Sequence, residues 1–288
     1  MKKIRYFFEA AALYGAFALF RLLGVDRASA FGGWAGRTLG PKMGASRKAL
    51  TNIRRAFPEK SEAEHRDILR DMWDNLGRVM AEYPHLKEIC EKRIELVNDD
   101  ILDAYGLDKP FLILGAHLAN WEASFLAGPI IKGVSLDGVI REPNNPFVQK
   151  LLAKCRNPLG QTVTFPKSRA GAMQMVKALK NGRRVGILID QKYNEGLPIP
   201  FFGRPAMTSP ALAQLSRKFD CPIFPSRIER LKGANFRITI HPAIMAGERS
   251  DEDIMTQANR VLEDWIHAAP GQWLWLHRRW DSKALQNA

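Results

Sequence analysis

The chain has few cysteines, and none of them has the spacing that holds a metal or a disulfide framework. Its 288 residues include three cysteines, Cys90, Cys155 and Cys221, which are far apart and odd in number. No Cys-x-x-Cys pair occurs, so the sequence predicts neither a zinc site nor structural disulfides. Free thiols are typical of a protein body that faces the reducing cytosol.

Three common catalytic signatures are also missing. There is no Gly-x-Ser-x-Gly turn, which argues against a serine hydrolase. A His-Glu-x-x-His run is absent too, so no metalloprotease site and no bound metal are predicted. The glycines within 32–36 follow a helix-like segment rather than a strand, and therefore do not indicate a phosphate-binding or dinucleotide-binding loop.

Acidic residues are outnumbered by basic ones, chiefly near the amino terminus. The chain has 43 Lys and Arg against 30 Asp and Glu, a net charge of +13, and residues 1–60 hold twelve bases and three acids, or +9. A protein with this excess of positive charge is expected to bind an anionic membrane, an acidic protein or nucleic acid. We predict no nucleic-acid partner, because nucleic acid would not account for the apolar segment that accompanies these charges.

A hydrophobic run is present, but it is short. Residues 6–20 carry one charge, Glu9, and Arg21 ends the run. A spanning helix needs about 20 apolar residues, so this segment fits a basic, aromatic helix that lies in or dips into the cytoplasmic leaflet. A single span and an ordinary buried helix are the alternatives. We therefore predict a membrane-anchoring helix over residues 1–25.

The rest of the chain, 26–288, is predicted to be one domain, helical over 26–105 and α/β from 106. Strand-like and helix-like segments alternate from residue 111, which indicates a mixed, largely parallel central sheet flanked by helices. The candidate strands are 111–115, 134–140, 161–165, 184–189, 222–228 and 235–240. The candidate helices are 61–83, 120–128, 146–156, 169–180, 208–219 and 251–268, the first of them opened by a capping box at Ser61–Glu64.

A histidine and a glutamate follow the first strand of this alternating region, with four residues between them. On one continuous helix, His117 and Glu122 would lie about 140° apart and would not share a face. The chain must therefore bend, and Asn120 is placed to cap a helix that starts at Trp121. An imidazole beside a carboxylate can act as a general base. A structural histidine at a strand end is the alternative.

Polar residues also follow two other predicted strands, Arg141 after one and Asp190-Gln191 after the next. Ligands of open α/β sheets bind outside the carboxyl ends of strands, so these side chains and His117 indicate one site. An ion pair between Arg141 and Asp190 is the structural alternative. A base without a protein nucleophile or metal indicates direct transfer, in which an alcohol of one substrate attacks an activated acyl group of another.

Two apolar segments lie further along the chain. Residues 199–205 carry prolines and a basic tip, and are typical of a loop that borders an apolar groove or of a plain surface loop. Residues 273–280 contain three of the seven tryptophans together with two arginines. This composition suits either a membrane interface or a strand that buries its tryptophans in the core.

Taken in order along the chain, these pieces resemble the lipid A biosynthesis lauroyl/myristoyl acyltransferases, a branch of the lysophospholipid acyltransferase superfamily. His-x4-Glu alone is a weak signal, whereas the ordered set spans nearly the whole chain and is specific. The matching pieces are Ala56-Phe57-Pro58-Glu59, Gly115-Ala116-His117 with Glu122, Ile140-Arg141-Glu142-Pro143-Asn144-Asn145-Pro146, Ile189-Asp190-Gln191, Pro200-Phe201-Phe202-Gly203-Arg204-Pro205-Ala206 and Trp273-Leu274-Trp275-Leu276-His277-Arg278-Arg279-Trp280.

The resemblance implies a glycerolphosphate acyltransferase-like fold at the cytoplasmic face of the inner membrane. It implies transfer of a fatty acyl chain from acyl carrier protein, or from coenzyme A, to a hydroxyl of a lipid A precursor, with no further cofactor. The partners would be the acidic carrier protein, the precursor and an anionic membrane. His117 carries over as the general base and Glu122 as its orienting partner. The substrate-binding residues that carry over are Arg141, Asn145, Arg156, Asp190 and Gln191.

Two other functions remain open at this point. The same chemistry could act on another glycolipid or on an amino-acid lipid. Alternatively, the chain could be a membrane-binding protein that keeps the fold but has no catalytic activity. The complete set of polar residues argues against this function.

Overall fold

The computed structural model describes residues 2–140 and 142–280, with the backbone only for Lys2. Four helices form the amino-terminal layer: α1 Lys2–Leu39, α2 Ala45–Ala56, α3 Glu62–Glu82 and α4 Leu86–Lys92. The predicted helix over 61–83 is confirmed, and so is its capping box between Ser61 and Glu64. The expected end of the anchor at residue 25 falls beside Gly24, where α1 kinks at a non-helical backbone (φ 73°, ψ 165°) before it continues to Leu39.

The glycines of residues 32–36 have a packing role. A Cβ on Gly32 would lie 2.3 Å from the Gly77 carbonyl oxygen of α3, and one on Gly36 would lie 2.1 Å from the Trp73 carbonyl oxygen. Glycines four residues apart on one face of a helix allow another helix to approach its backbone closely. The run over 32–36 therefore holds α1 against α3.

The first helix exposes much of its apolar surface. The stretch Lys3–Lys42 is long and apolar enough to cross a membrane: an 18-residue window within it has a mean hydropathy of 1.5, and 17% of that window is buried. Its exposed large side chains include Phe7, Phe8, Leu22 and Trp34. By length and composition, this helix favours membrane association.

A seven-stranded sheet forms the centre of the domain, and it confirms the predicted fold class. The strands are β1 Ile94–Val97, β2 Leu112–Gly115, β3 Leu136–Ile140, β4 Thr164–Pro166, β5 Arg184–Leu188, β8 Ile223–Arg230 and β9 Phe236–Ile240. Their order in the sheet is β1-β9-β8-β2-β5-β3-β4, and every neighbouring pair is parallel except β8 with β9. The flanking helices are α5 Asp100–Tyr105, α6 Trp121–Ala127, α7 Pro146–Arg156, α8 Arg169–Lys180, α9 Ala211–Phe219 and α10 Asp251–Ala268.

The segment expected to be a loop over 199–205 is instead most of a β-hairpin. Strands β6 Leu197–Phe201 and β7 Arg204–Thr208 form a separate antiparallel pair. The turn residues Phe202 and Gly203 both have positive φ, 50° and 67°, as a two-residue hairpin turn requires. These strands were not predicted, because they contain prolines. Proline has no backbone N–H to donate to a β-ladder and is usually confined to edge strands.

The carboxyl-terminal tryptophans lie in the core rather than at a membrane interface. Trp273, Trp275 and Trp280 are each at most 4% exposed. The segment forms no strand among the described residues; one antiparallel bridge joins Trp273 to Leu118. The burial prediction is therefore confirmed, whereas the strand prediction is wrong because the segment crosses a turn instead of pairing along an edge.

Candidate active site

His117 lies just beyond the carboxyl end of β2, in the turn that leads to α6. The turn is tight, and Ala119 has a positive φ of 44°. Asn120 ends it as the predicted cap of α6, with its side-chain oxygen accepting from the Ala123 amide. Because of this bend, His117 and Glu122 do not lie on one continuous helix, on which their side chains would point in different directions.

The hydrogen-bond partner of the His117 ring is Asp190, which follows the adjacent parallel strand β5. His117 Nδ1 lies 2.8 Å from Asp190 Oδ1, and the His117 backbone amide donates to Oδ2 at 2.9 Å. The Trp273 indole donates to the same Oδ2 at 2.7 Å. Asp190 is 3% exposed, so three protein donors replace the water that a buried carboxylate would otherwise need.

The resemblance implies that Glu122 orients the His117 ring, whereas the hydrogen bonds of Glu122 in the structure go to other residues. Glu122 accepts two hydrogen bonds from the Arg156 guanidinium, both at 2.7 Å, and one from the Tyr83 hydroxyl at 2.5 Å. Arg156 also donates to the Tyr83 oxygen at 2.8 Å. The His117 ring instead turns toward Asp190, because β2 and β5 are neighbours in the sheet and deliver the two residues to one edge.

The two partners shift each other's proton affinity. Burial disfavours the imidazolium, but the charge and hydrogen bond of Asp190 outweigh it, so the pKa of His117 lies above its ordinary value. Burial alone would raise the pKa of Asp190, yet the imidazole and the other donors hold it below its usual range. Asp190 therefore stays ionised at neutral pH, and His117 is the member of the pair that exchanges a proton.

The second ring nitrogen of His117, Nε2, lies among other polar side chains. The Gln191 side-chain nitrogen lies 3.3 Å from His117 Nε2 and 3.1 Å from His277 Nε2. The two imidazole rings are 5.9 Å apart, and the Trp121 ring is 5.3 Å from that of His117. With Nδ1–H donating to Asp190, Nε2 presents its lone pair here, which is the arrangement that a general base needs.

A buried polar network behind the turn was not predicted. Glu82 of α3 is fully buried, accepts from the Asn120 side chain at 2.8 Å, and is paired with Arg230 at the end of β8. Arg230 also donates to Asn75, whose amide holds the Ala119 carbonyl. These residues lie on elements distant in sequence, so no local pattern marks them.

The carboxyl-terminal segment pairs with the backbone of the same turn. The Ala119 amide donates to the Gln272 carbonyl at 2.9 Å, and the Leu274 amide donates to the His117 carbonyl at 3.0 Å. Together with the Trp273 indole, these bonds hold both His117 and Asp190 from one side.

Only some of the other predicted site residues lie near His117 or Glu122. Gln191 lies beside His117, and Arg156 lies with Glu122. Asn145 caps α7 and donates to the Tyr6 carbonyl of α1, so its hydrogen bonds are structural. Arg141 lies outside the described residues. Within 2–140 and 142–280, no group of three or more His, Cys, Asp or Glu side chains is arranged to hold a metal ion.

Comparison with known proteins identifies the family. The model of the bacterial lipid A biosynthesis acyltransferases matches residues 1–282. The chain belongs to this family. It is 26% identical over 245 residues to the lipid A biosynthesis lauroyltransferase of Escherichia coli K12, covering 81% of this chain and 78% of the relative. The expected family and acyltransferase fold are thus confirmed.

Two further relatives from the same organism differ in the acyl chain that their names specify. The chain is 24% identical over 245 residues to a lipid A biosynthesis myristoyltransferase, covering 80% of this chain and 73% of the relative. It is 22% identical over 252 residues to a palmitoleoyltransferase, covering 82% and 79%. The family relationship supports a role in lipid A acylation.

Proposed function

We propose that this acyltransferase moves a fatty acyl chain from acyl carrier protein to a hydroxyl of a lipid A precursor. The observation that carries the proposal is the pairing of the His117 ring with the buried Asp190 carboxylate, in which Nδ1 contacts Asp190 and Nε2 faces the Gln191 side chain. The family relationship supports the acceptor, and the net charge of +13 suits an acidic carrier protein and phosphorylated lipids.

In the proposed reaction, His117 Nε2 takes the proton of the acceptor hydroxyl as the oxygen attacks the thioester carbonyl. The imidazolium that forms is stabilised by Asp190, which also holds the ring in the correct tautomer. Collapse of the tetrahedral intermediate breaks the carbon–sulfur bond, and the imidazolium returns its proton to the departing thiolate. An ester and a free thiol result, and no metal or further cofactor is needed.

Glu122 has a positioning role in this mechanism. Its bonds to Arg156 and Tyr83 link α6 to α7 and to the end of the amino-terminal helical layer. The pKa of Tyr83 is raised, by burial first and then by the charge of Glu122. Glu122 thus holds the first turn of α6 in place beside His117, instead of contacting the ring.

The location that we propose is the cytoplasmic face of the inner membrane, with α1 as the anchor. The exposed apolar side of α1 and the basic residues of 1–60 support it, since such a helix binds an anionic leaflet.

Purified full-length protein in detergent, given a lipid A precursor and acyl carrier proteins with chains of graded length, tests the proposal. We expect one acyl chain to be added to the precursor, with a preferred length and with little transfer from coenzyme A thioesters. Absence of transfer from every donor would reject the proposal. Mass spectrometry of lipid A from a deletion strain tests the acceptor, and an unchanged acylation pattern would point to another lipid.

A further inference from the structure

The part of α1 that precedes the kink at Gly24 has two apolar faces. On one face the residues are buried or half-buried and recur every three or four positions, so they point to the same side of the helix. They are Tyr6, Ala10, Leu13, Phe17 and Phe20. The opposite face is exposed. Its large side chains include Ile4, Phe8, Leu19 and Leu22. One face of the helix is therefore covered by the domain along its length, and the other is open.

Both ends of this stretch are bonded to the same domain. The Asn145 side chain of α7 donates to the Tyr6 carbonyl at 2.8 Å. His85, which follows α3, has its Nε2 2.9 Å from the Phe20 carbonyl oxygen. Positions 6 and 20 are 14 residues apart in the sequence, so these contacts extend over about 21 Å of helix. The domain thus runs alongside α1 instead of being attached at one end of it.

This packing argues against a helix that crosses the bilayer. A span of the hydrocarbon core takes about 30 Å, which is nearly all of the stretch before Gly24. The domain surface that covers the stretch would then lie at the same depth. That surface includes Tyr83, which stacks on Phe17 at 6.0 Å between ring centroids and is hydrogen-bonded to the Glu122–Arg156 ion pair. Charged groups at the depth of the hydrocarbon are costly, so the packing favours a helix that lies along the membrane surface.

The exposed surface of α1 continues onto α7. The Phe147 amide donates to the Asn145 side-chain oxygen at 3.1 Å, and the same Asn145 side chain holds the Tyr6 carbonyl. Phe147 therefore lies beside the first turns of α1, and it is 51% exposed. Lys150 and Lys154 follow at intervals of three and four residues, so they share its helix face, and both are exposed. Apolar side chains accompanied by lysines are typical of a helix at an anionic membrane surface.

We propose that the protein is monotopic: the first part of α1 lies flat in the cytoplasmic leaflet, and the exposed face of α7 contacts the same leaflet. The partner of this surface is an anionic bilayer, because its apolar side chains are joined by lysines that meet the headgroups. The inference rests on the proposed membrane location and adds the orientation of the domain on the membrane.

Labelling of the Lys3→Cys variant with a membrane-impermeant maleimide tests whether α1 lies flat. A spanning helix would place residue 3 outside the inner membrane, whereas a flat helix keeps it on the side of the domain. We therefore expect no label at residue 3 in intact spheroplasts and full labelling after the membrane is dissolved in detergent. The native protein is the control, because its cysteines Cys90, Cys155 and Cys221 belong to the domain in either orientation. Label at residue 3 in intact spheroplasts would overturn the inference and leave membrane association intact.

Spin labels test which elements enter the leaflet. Cys155→Ala removes the native cysteine that is not buried, and the full-length protein is reconstituted into vesicles of phosphatidylethanolamine and phosphatidylglycerol. The collision rates of each label with oxygen and with a water-soluble nickel chelate are then compared. We expect oxygen to dominate at Phe147→Cys, as at Phe8→Cys. The nickel chelate should dominate at Met245→Cys, the matched control, because Met245 is an exposed apolar residue outside α1 and α7.

Charge reversal on α7 tests the role of the lysines. Lys150→Glu/Lys154→Glu should make the nickel chelate dominate at Phe147→Cys, because the acidic side chains are repelled by the anionic headgroups, while the label at residue 8 stays in the leaflet. The same reversal of two exposed lysines of α8, Lys177→Glu/Lys180→Glu, should change neither label.

The two labelled positions separate this inference from the proposed function. A label at residue 147 that meets mainly the nickel chelate, in the protein with its native lysines, would overturn the inference. The same result at residue 8 would instead reject α1 as the anchor, and with it the proposed location. Neither measurement requires acyl transfer, so the orientation is decided whether or not the purified protein is active.

Discussion

Asp190 and Glu122 are two buried carboxylates on either side of the same turn, and they have different partners. Asp190 is bonded to His117, which can gain and lose a proton near neutral pH. Glu122 is bonded to Arg156, whose guanidinium stays protonated and whose pKa Glu122 raises further. The first pair is thus suited to proton transfer, whereas the second is a fixed ion pair.

Sequence spacing therefore does not select the hydrogen-bond partner of His117. Glu122 is five positions from His117, and Asp190 is 73 positions away, yet Asp190 is the hydrogen-bonded one. Substitutions at His117, Glu122, Asp190 and Trp273 test this distinction.

Replacing the base itself should have the largest effect. We expect His117→Ala to lower kcat by about 10²- to 10⁴-fold, because no other group at the Nε2 position takes the acceptor proton. The measurement is steady-state transfer to the precursor, with thermal unfolding as the control for folding. Near-normal turnover in a folded variant would remove His117 from the mechanism.

Breaking the Glu122 pair should mainly affect stability. Glu122→Gln leaves the Arg156 charge without its counter-ion, which we expect to cost about 3–5 kcal/mol in the free energy of unfolding. The double variant Glu122→Gln/Arg156→Gln should recover part of this cost, because neither charge then remains unpaired. Denaturant titration of the purified proteins measures both. If the single variant is as stable as the double, the fixed ion pair is not what Glu122 provides.

Replacing Asp190 should reduce turnover and change its pH dependence. We expect Asp190→Asn to lower kcat by about 100-fold, since the imidazolium loses its stabilising charge. Protonated His117 is inactive, so kcat/KM rises as pH increases through the pKa of the ring. In the native protein, the midpoint should lie above about 6.5, the ordinary value for histidine.

In Asp190→Asn this midpoint should move to lower pH, because burial of the ring is then opposed only by the smaller contribution of the Glu122 charge. The pH profile of kcat/KM for the two proteins measures the shift. The Glu122→Gln profile serves as the comparison, and a larger shift there than in Asp190→Asn would reverse the assignment of the two carboxylates.

Replacing Trp273, whose indole donates to Asp190, should have the smallest effect. Trp273→Phe removes one of three donors to Asp190 and keeps the ring volume nearly filled, so we expect about a 3- to 10-fold loss of kcat. Trp275→Phe is the matched control, because its indole donates to the Pro270 carbonyl instead. Equal losses in the two variants would show that ring packing matters rather than the hydrogen bond.

Much of the fold could be predicted from the sequence, because its signals are local. The predicted strand 184–189 corresponds to β5 Arg184–Leu188, and helices α7, α8 and α10 have the predicted bounds. Apolar periodicity and cap residues act within a few positions of the chain, so they mark these elements directly. Strand β1 was missed, since four residues with one exposed side chain carry little periodic signal.

The site could be predicted only in part. The placement of His117 and Asp190 after strands put both at one sheet edge, as the structure shows. The network of Glu82, Arg230 and Asn75 could not be anticipated, because a buried charge needs partners and the partner of Glu82, Arg230, lies on an element distant in sequence.

The helices and strands, the apolar first helix, the family motifs and the polar residues at the strand ends can be recognised from the sequence alone. The packing of the strands sets which carboxylate contacts the imidazole, and it buries the carboxyl-terminal tryptophans, of which Trp273 donates to Asp190. Secondary structure follows short-range backbone and side-chain preferences, whereas a buried hydrogen bond depends on which strands become neighbours. Here β2 and β5 are neighbours, and the proposed general base therefore contacts Asp190 rather than Glu122.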